Sequence, residues 1–365
     1  MTPRERFRKI MHFEQPDAIP LWDLEGLTEG AIRQWCLDGM PTGRNVREFI
    51  GFDEYAHIPL SANPIPSFLP RTIAEDEESV TTIDAYGFKV KTIKAQAVPP
   101  TIYYYVEGSV KDRADWEAMK KRYDPTDIRR RPTYWGEDMF EHYRTLDRPV
   151  ALTLVWGPGR GSKNGYMLGQ EEFLHALTDQ PAFVHDIFDF WADFLIELVR
   201  ELVEKSPPDF VWLNEDGLAY KNSTLVSPKM YREMWLPYVK RVTDFLHGHG
   251  VEFVGHYTSG NIQPLIPTFL DAGMNLFGPL EVASDMDAVA LRKEYGRDVL
   301  LMGNIGRAAL MAGPDAVERE FTRKVPWLME QGGYIPAIDD MVLPDISLEA
   351  MMRYVELVRG FELGG

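Results

Sequence analysis

The fold follows from one stretch, Val251-Glu-Phe-Val-Gly-His-Tyr-Thr-Ser-Gly-Asn261. It begins with β-branched and aromatic residues that favour a strand, and it ends with Thr, Ser, Gly and Asn, which are typical of turns. The pattern predicts a strand that delivers His256 into a loop. In parallel α/β proteins catalytic side chains collect at the C-terminal ends of the strands, so His256 is the first candidate for chemistry.

Composition excludes several classes of protein. The chain has 365 residues, 45% of them hydrophobic, which is enough for one large barrel or two ordinary domains. Its 39 basic and 56 acidic residues give a net charge of -17, which argues against nucleic acid and anionic membranes as partners. The single cysteine, Cys36, excludes an internal disulfide. No apolar region follows the Met-Thr-Pro-Arg start, and no window reaches about 18 apolar residues, so we expect a soluble cytoplasmic protein.

Strand-like runs recur along the chain and most are followed by a helical pattern. They begin near residues 19, 55, 150, 210, 251, 276, 299 and 333. Eight such units with short connections predict an α/β fold, a (β/α)8 TIM barrel that forms a single domain over residues 1–365. The alternative is a doubly wound open sheet, but the chain lacks the Gly-x-Gly-x-x-Gly fingerprint expected of its nucleotide-binding forms.

Two additions to the barrel are predicted. Thr2-Pro-Arg-Glu5 has the pattern of a capping box, and Phe7, Ile10 and Met11 follow at helical spacing, so an N-terminal helical extension is expected. Residues 78–110 alternate polar and apolar side chains around Gly87, which predicts an antiparallel β-hairpin insertion.

Polar residues at the predicted strand ends supply candidate metal ligands. His256, Glu215 and Asp340 form the most economical set, because imidazole and carboxylates suit Zn²⁺ and similar ions, and three protein ligands leave one position open. The alternative is that His256 only hydrogen-bonds to a neighbouring carboxylate.

Other candidates stand at the same predicted rim. Asp23 and the pair Asp339-Asp340 are candidate proton donors, since adjacent like charges raise one pKa, although the pair also suits a cap of the following turn. Arg160, in the glycine-rich segment 157–162, suits an anion. Asn304 and Glu281 follow strands and suit a polar ligand. The aromatic residues Trp22, Trp156, Trp212 and Tyr257 form either the walls of a ligand site or part of the core.

Several of these segments together resemble the uroporphyrinogen decarboxylase superfamily. They are Gly255-His-Tyr-Thr-Ser-Gly260, Leu280-Glu281, Leu301-Met-Gly-Asn-Ile305, Gly332-Gly333 and Gln15-Pro-Asp17. The resemblance implies a (β/α)8 barrel and, for some members, a dimer. The superfamily contains decarboxylases of uroporphyrinogen and zinc-dependent methyltransferases that exchange methyl groups with corrinoid proteins.

This sequence departs from the motifs of both the decarboxylases and the methyltransferases, and the departures limit the substrates and metals to be expected. Where the decarboxylases have an Arg-Gln-Ala-Gly-Arg segment for substrate carboxylates, this chain has Trp22-Asp-Leu-Glu-Gly26, so a substrate with eight carboxylates meets uncompensated negative charge. Where the methyltransferases have a His-x-Cys zinc motif, the chain has His256 and Thr258, and Asp340 falls near the position of a second cysteine. An oxygen-rich ligand set favours a harder metal than a thiolate set does.

Three functions follow as hypotheses. The first is a metal-dependent methyltransferase-like enzyme that acts on a small methylated substrate with a corrinoid protein as methyl partner. In it His256, Glu215 and Asp340 hold the metal, Asp23, Asp340 and Tyr257 serve catalysis, and the substrate contacts Trp22, Trp156, Arg160, Asn304 and Glu281. The second is decarboxylation without metal, with Asp23 or Asp340 stabilising a protonated pyrrole. The third is a non-catalytic barrel that binds a small ligand.

Overall fold

The largest element is a curled sheet of parallel strands. The structure is a computed structural model and describes residues 1–94, 103–157 and 167–362. The strands of this sheet are Ala56–His57 (β1), Val150–Val155 (β6), Phe210–Asn214 (β7), Phe253–Tyr257 (β10), Leu276–Gly278 (β11), Leu300–Ile305 (β12) and Tyr334–Ile338 (β13). They are hydrogen-bonded in this order, each to the next. The prediction of a parallel α/β chain is confirmed.

Alternate residues of these strands point to opposite faces of the sheet. One face carries a set of buried side chains that we call the inner cluster: Phe7, Ile10, Met11, Trp22, Ala151, Phe210, Trp212, Phe253, Leu276, Leu300, Met302 and Ile335, with Tyr55 and Tyr257 against it. The other face packs against helices and contributes to the larger core that contains Leu152, Val211 and Val254. The curled sheet therefore encloses its inner cluster and is covered outside by helices.

The segment 19–27 lies between the two edges of this sheet. The sequence predicts a strand here, but Ile19–Asp23 is not a strand in the structure, and the sheet has seven strands within the described ranges. A parallel bridge joins its Leu27 to Val342, in the loop that follows β13. The Asp53 amide, in the segment before β1, donates a hydrogen bond of 2.9 Å to its Leu21 carbonyl. Because so few hydrogen bonds join it to either side, no regular strand pairing develops.

Helices surround the sheet, most of them on its outer face. Their bounds are Pro3–Met11 (α1), Glu29–Leu37 (α2), Val46–Ile50 (α3), Arg113–Lys120 (α4), Glu137–Thr145 (α5), Gln170–Asp179 (α6), Pro181–Lys205 (α7), Pro228–Met234 (α8), Leu236–Gly248 (α9), Ile266–Asp271 (α10), Ala288–Tyr295 (α11), Arg307–Met311 (α12), Pro314–Gln331 (α13) and Leu348–Arg359 (α14). Over the ranges that the structure describes, none of these helices has the length and apolar content needed to cross a bilayer.

One predicted helix is divided. The sequence predicts a continuous helix over residues 228–246, whereas the structure has α8 and α9, which meet at Trp235. Pro237 occupies the first turn of α9, where a missing backbone N–H costs nothing, but inside a longer helix the same proline would remove a hydrogen bond. The proline therefore explains the break.

The N-terminal helix α1 closes one end of the sheet. The Thr2 hydroxyl and the Glu5 carboxylate form the predicted capping box, and Phe7, Ile10 and Met11 belong to the inner cluster. Arg4 and Arg8 both contact the buried carboxylate of Asp209, at 2.9 and 2.8 Å. The predicted helical extension is confirmed, and it is attached to the sheet through apolar contacts and charge.

An antiparallel sheet is inserted after β1. Its four strands are Arg71–Glu75 (β2), Ser79–Ile83 (β3), Lys89–Ile93 (β4) and Tyr103–Glu107 (β5), paired in chain order. The insertion begins with β2, earlier than the predicted residue 78. The sequence pattern missed β2 because this strand is exposed along its whole length and shows no apolar alternation. A short hairpin of Ala219–Tyr220 (β8) and Ser223–Thr224 (β9) follows β7.

Candidate functional site

A polar cavity of about 620 Å³ lies where the segment 19–27 separates from β1. We call it the seam cavity. Its lining combines acids, arginines and aromatic rings: Asp23, Leu24, Glu25, Gly26, Arg47, Glu54, Tyr55, Ala56, His57, His142, Tyr143 and Arg148. Cavities of this volume are of the size that holds small ligands. The seam cavity is therefore the candidate functional site.

Both arginines of the seam cavity are paired with carboxylates. Arg47 Nη1 donates to Asp23 Oδ2 at 2.6 Å, and Arg148 Nη1 donates to Glu54 Oε2 at 2.6 Å. Asp23 also accepts a hydrogen bond from the Gly26 amide at 2.8 Å, and its side chain is only 7% exposed. Asp23 lines the seam cavity, and its catalytic role remains a prediction. Its partner Arg47 was not predicted, because it lies on a helix rather than at a strand end.

Tyr257 connects the opposite side of the sheet to this cavity. Its hydroxyl donates to Glu25 Oε1 at 2.5 Å and also lies 3.1 Å from the Leu24 carbonyl oxygen. Its ring packs against Trp212 of the inner cluster. Burial, and then the negative charge of Glu25, raise the pKa of Tyr257 well above its usual value. The hydroxyl therefore keeps its proton at neutral pH and acts as a hydrogen-bond donor.

Tyr55 and His57 are two cavity residues that were not predicted from the sequence. Tyr55 packs on Trp22 with ring centroids 4.8 Å apart, and burial followed by the charge of Asp23 raises its pKa. His57 Nε2 lies 3.0 Å from Thr153 Oγ1. Protein atoms that displace water lower the pKa of His57, although its side chain still reaches solvent. Tyr55 precedes β1 and His57 ends it, so this short strand offered no alternation from which to predict them.

His256 is not in the seam cavity. It is 1% exposed and stacks on Phe269 of α10, with ring centroids 4.1 Å apart. Phe253 and Tyr257 of the same strand face the inner cluster, so His256, adjacent to Tyr257, faces the helices. Burial lowers its pKa to about 3, so the imidazole is neutral at physiological pH. The prediction that His256 reaches a catalytic mouth is wrong, because the strand register turns it the other way.

The three predicted metal ligands do not meet. Glu215 Oε2 lies 3.7 Å from His256 Nε2, and Glu215 Oε1 accepts a 2.7 Å hydrogen bond from Trp235 Nε1 in the helix-facing core. Asp340 is 48% exposed and lies 3.7 Å from Arg307 Nη1. Over the ranges that the structure describes, no group of three or more His, Cys, Asp or Glu side chains is arranged to hold a metal ion. This ligand set therefore does not fit a metal.

The buried carboxyl of Asp339 connects two loops. Its oxygens accept hydrogen bonds from the amides of Val282 at 2.7 Å and Arg307 at 2.8 Å. Burial raises the pKa of Asp339 to about 6, with a smaller contribution from the adjacent Asp340. Asp340 accepts a bond from the Met341 amide and does not line the seam cavity. Asp340 therefore caps the following turn, whereas Asp339 joins the loops at Val282 and Arg307.

Asn304 and Glu281 also hold loops together. The Asn304 amide bonds to the backbone of Ala288, Leu280 and Met286 at 2.7 to 3.0 Å, and the residue has a positive φ of 63°. Glu281 Oε2 accepts hydrogen bonds from the Gly260 amide and the Ser284 hydroxyl. Neither Asn304 nor Glu281 lines the seam cavity, so loop hydrogen bonds take the place of the predicted substrate contacts.

The tryptophans that the sequence assigned either to a ligand site or to the core lie in the core. Trp22 and Trp212 are buried in the inner cluster, and Trp156 is buried on the helix-facing side against Phe188 of α7. These tryptophans are core residues, and Trp22 contacts the seam cavity through Tyr55, which lines it. Arg160 and most of its glycine-rich segment lie outside the described residues.

The curled parallel sheet with a polar cavity at its seam places the chain among α/β barrel-like proteins. A family model described as uroporphyrinogen decarboxylase (URO-D) matches residues 161–361, more than half of the chain. The chain belongs to this family.

Known relatives extend the comparison. A uroporphyrinogen decarboxylase of Hydrogenovibrio crunogenus is 25% identical over 186 residues, which is 50% of this chain and 49% of that protein. One of Streptomyces coelicolor is 29% identical over 133 residues, 36% of each chain. The chain thus spans half or less of the curated relatives it matches. A solved methyltransferase from Methanosarcina mazei superposes with a TM-score of 0.62 at 14% identity over 98% of both chains, a likeness of fold.

Proposed function

We propose that this chain is a URO-D family enzyme that removes a methyl group from a small methylated substrate bound in the seam cavity, with a corrinoid protein as methyl partner. The observation that carries the proposal is the charge arrangement of the cavity. Its two guanidinium groups are already in 2.6 Å ion pairs, and three carboxylates line the same space. Such a cavity favours a small neutral or weakly polar ligand over a polycarboxylate.

The proposal includes the closure of the fold. The segment 19–27 contacts the residues that follow β13 and those that precede β1, which supports its role as the eighth element of a closed (β/α)8 barrel. We take residues 1–365 to form one such domain. In this arrangement Tyr257 reaches across the barrel to the segment 19–27, and the seam cavity opens beside that segment.

The residues of the cavity position the substrate. The Asp23–Arg47 pair fixes one wall, and the Tyr257 hydroxyl fixes the Glu25 carboxylate from behind. Fixed dipoles of this kind orient a methoxy or methylamino group without reorganising during the reaction. A bound corrinoid would supply the methyl acceptor. Because His256, Glu215 and Asp340 do not fit a metal ion, no step depends on one.

Methyl transfer is tested directly with the purified chain, a corrinoid protein and substrates that carry a labelled methyl group. We expect labelled corrinoid and the demethylated product. Glu25→Gln should lower kcat by roughly 100-fold, since the carboxylate that faces the substrate is lost. His175→Gln, which changes an exposed residue of α6, serves as control. Unchanged kinetics of Glu25→Gln, or no transfer from any methoxy or methylamino compound, would remove the proposal.

Decarboxylation is the second candidate. The URO-D family model and the names of both relatives favour it, and Asp23 lies in the cavity, where a carboxylate could stabilise a protonated pyrrole. The test is incubation with uroporphyrinogen and chromatography of the porphyrins after oxidation. We expect no product, because both cavity arginines are already paired. Products with fewer carboxyl groups, lost in Asp23→Asn, would establish this function in place of methyl transfer.

A non-catalytic barrel is the remaining alternative. It predicts that a methylated compound binds in the seam cavity without turnover. Calorimetric binding combined with the labelled-methyl assay separates it from the enzyme.

A further inference from the structure

His57 faces the interior of the curled sheet. It pairs with Ala151 in the parallel ladder of β1 and β6, and Ala151 belongs to the inner cluster. Residues paired across neighbouring strands point to the same face, so His57 points inward with Tyr55. It also lines the seam cavity and reaches solvent there. Unlike the buried His256, this imidazole is accessible to a ligand.

A neighbouring hydroxyl fixes the His57 ring. Thr153 pairs with Trp212, a member of the inner cluster, so Thr153 also points inward. Its Oγ1 lies 3.0 Å from His57 Nε2. A hydroxyl both donates and accepts, so this contact is compatible with the neutral and the protonated imidazole. A histidine held in this way can give or take a proton without moving its ring.

We propose that His57 is the proton-transfer residue of the seam cavity and that it gives a proton to the heteroatom that loses its methyl group. This inference rests on the proposed function. For a methoxy substrate, the bond between the methyl carbon and the oxygen breaks as the methyl group passes to the reduced corrinoid of the partner protein, which supplies the electron pair of the new bond. The oxygen keeps the electron pair of the broken bond and receives the proton of His57. The neutral imidazole then takes a proton from water.

The surroundings of His57 determine the pH dependence. The charged or titratable groups that share its cavity are Asp23, Glu25, Arg47, Glu54, His142 and Arg148, with the rings of Tyr55 and Tyr143. The pKa of His57 is lowered chiefly by lost contact with water, and a backbone hydrogen bond at Ile58 partly offsets this. Because the protonated imidazole is the donor, the rate should rise as the pH falls from about 8 toward 6.

The experiment compares the full chain with His57→Gln, Thr153→Val and the control His175→Gln. Methyl transfer from methoxybenzene is measured across pH with a corrinoid protein present. We expect His57→Gln to lower kcat roughly 100-fold, to change KM less than about threefold, and to flatten the pH profile. Thr153→Val should show a smaller loss of kcat, since the imidazole remains but its orientation is freed. His175→Gln should match the unmodified chain.

A second measurement needs no turnover. Phenol, the demethylated product, is titrated into the chain while the imidazole resonances are followed by NMR. We expect phenol to shift the His57 resonance and its titration midpoint, and to leave His175 unchanged. The inference is overturned if phenol leaves His57 unmoved, or if His57→Gln keeps kcat within about threefold with an unaltered pH profile. A shifted His57 in a chain that transfers no methyl group supports the proton contact while rejecting the proposed function.

Discussion

His256 shows how one residue can mislead a sequence interpretation. Its neighbours Gly255 and Tyr257 face the sheet interior, where a Cβ at Gly255 would meet the Trp212 ring at 2.4 Å. His256 therefore occupies the opposite face, and neither ring nitrogen has a hydrogen-bond partner among the described residues. A buried polar group without partners costs stability. Its described contacts are the stack on Phe269 and the Glu215 carboxylate at 3.7 Å.

We predict that His256→Leu removes a pH dependence of stability. The folded pKa of about 3 is below the unfolded value near 6.5, so the unfolded chain binds the extra proton between these pH values. The contribution of neutral His256 to the free energy of unfolding is fully present above about pH 6.5. It is lost as the pH falls toward 3, by an amount on the order of a few kcal/mol. The free energy of unfolding in urea should differ less between pH 7 and pH 5 for His256→Leu than for the unmodified chain. An equal or larger difference would contradict this account, and His175→Leu provides the exposed control.

At the scale of single elements, α1 combines local and long-range determinants. Thr2, Pro3 and Glu5 fix where the helix begins, and these signals are local. Its attachment depends on Asp209, whose oxygens also accept the Val150 amide at 2.8 Å, so one buried carboxylate joins the helix to β6. The helix is consequently part of the sheet's core, despite its place at the chain terminus.

Phe7→Ala should destabilise the whole fold. The Phe7 ring contacts Trp22, Phe210 and Phe253 within the inner cluster, with centroid separations of 5.1 to 5.9 Å. Truncating a buried phenylalanine leaves a cavity and costs about 3–5 kcal/mol. Urea unfolding monitored by tryptophan fluorescence measures the loss, with Lys9→Ala, a change on the same helix outside the inner cluster, as control. A loss below about 1 kcal/mol would show that α1 does not close the sheet.

For the whole molecule, the dominant property is a net charge of -17. Uniform negative charge repels itself in the compact state, whereas isolated surface ion pairs contribute little. Moderate salt should therefore stabilise the chain, because screening weakens the repulsion more than it weakens the pairs.

Raising the ionic strength from about 10 mM to about 300 mM should increase Tm by roughly 2 °C. Differential scanning calorimetry in sodium chloride measures the shift. Choline chloride at the same strength should give the same result if screening, rather than binding of a particular cation, is responsible. A falling Tm in both salts would mean that attractive ion pairs outweigh the repulsion.

The sequence by itself determined the parallel sheet, the capped first helix and the presence of an antiparallel insertion, because alternation, helical spacing and turn residues act over a few neighbouring positions. The tertiary structure alone decided that His256 faces the helices and that residues 19–27 form no regular strand. It also decided that the Trp212 ring fills the space beside Gly255.

The seam cavity also depends on the tertiary structure. The hydrogen bond from Tyr257 to Leu24 joins residues 233 positions apart, and the His57–Thr153 contact joins residues 96 apart. No local pattern encodes such contacts, because strand register and the closure of the sheet decide which side chains meet, and a shift of one residue turns every side chain to the other face.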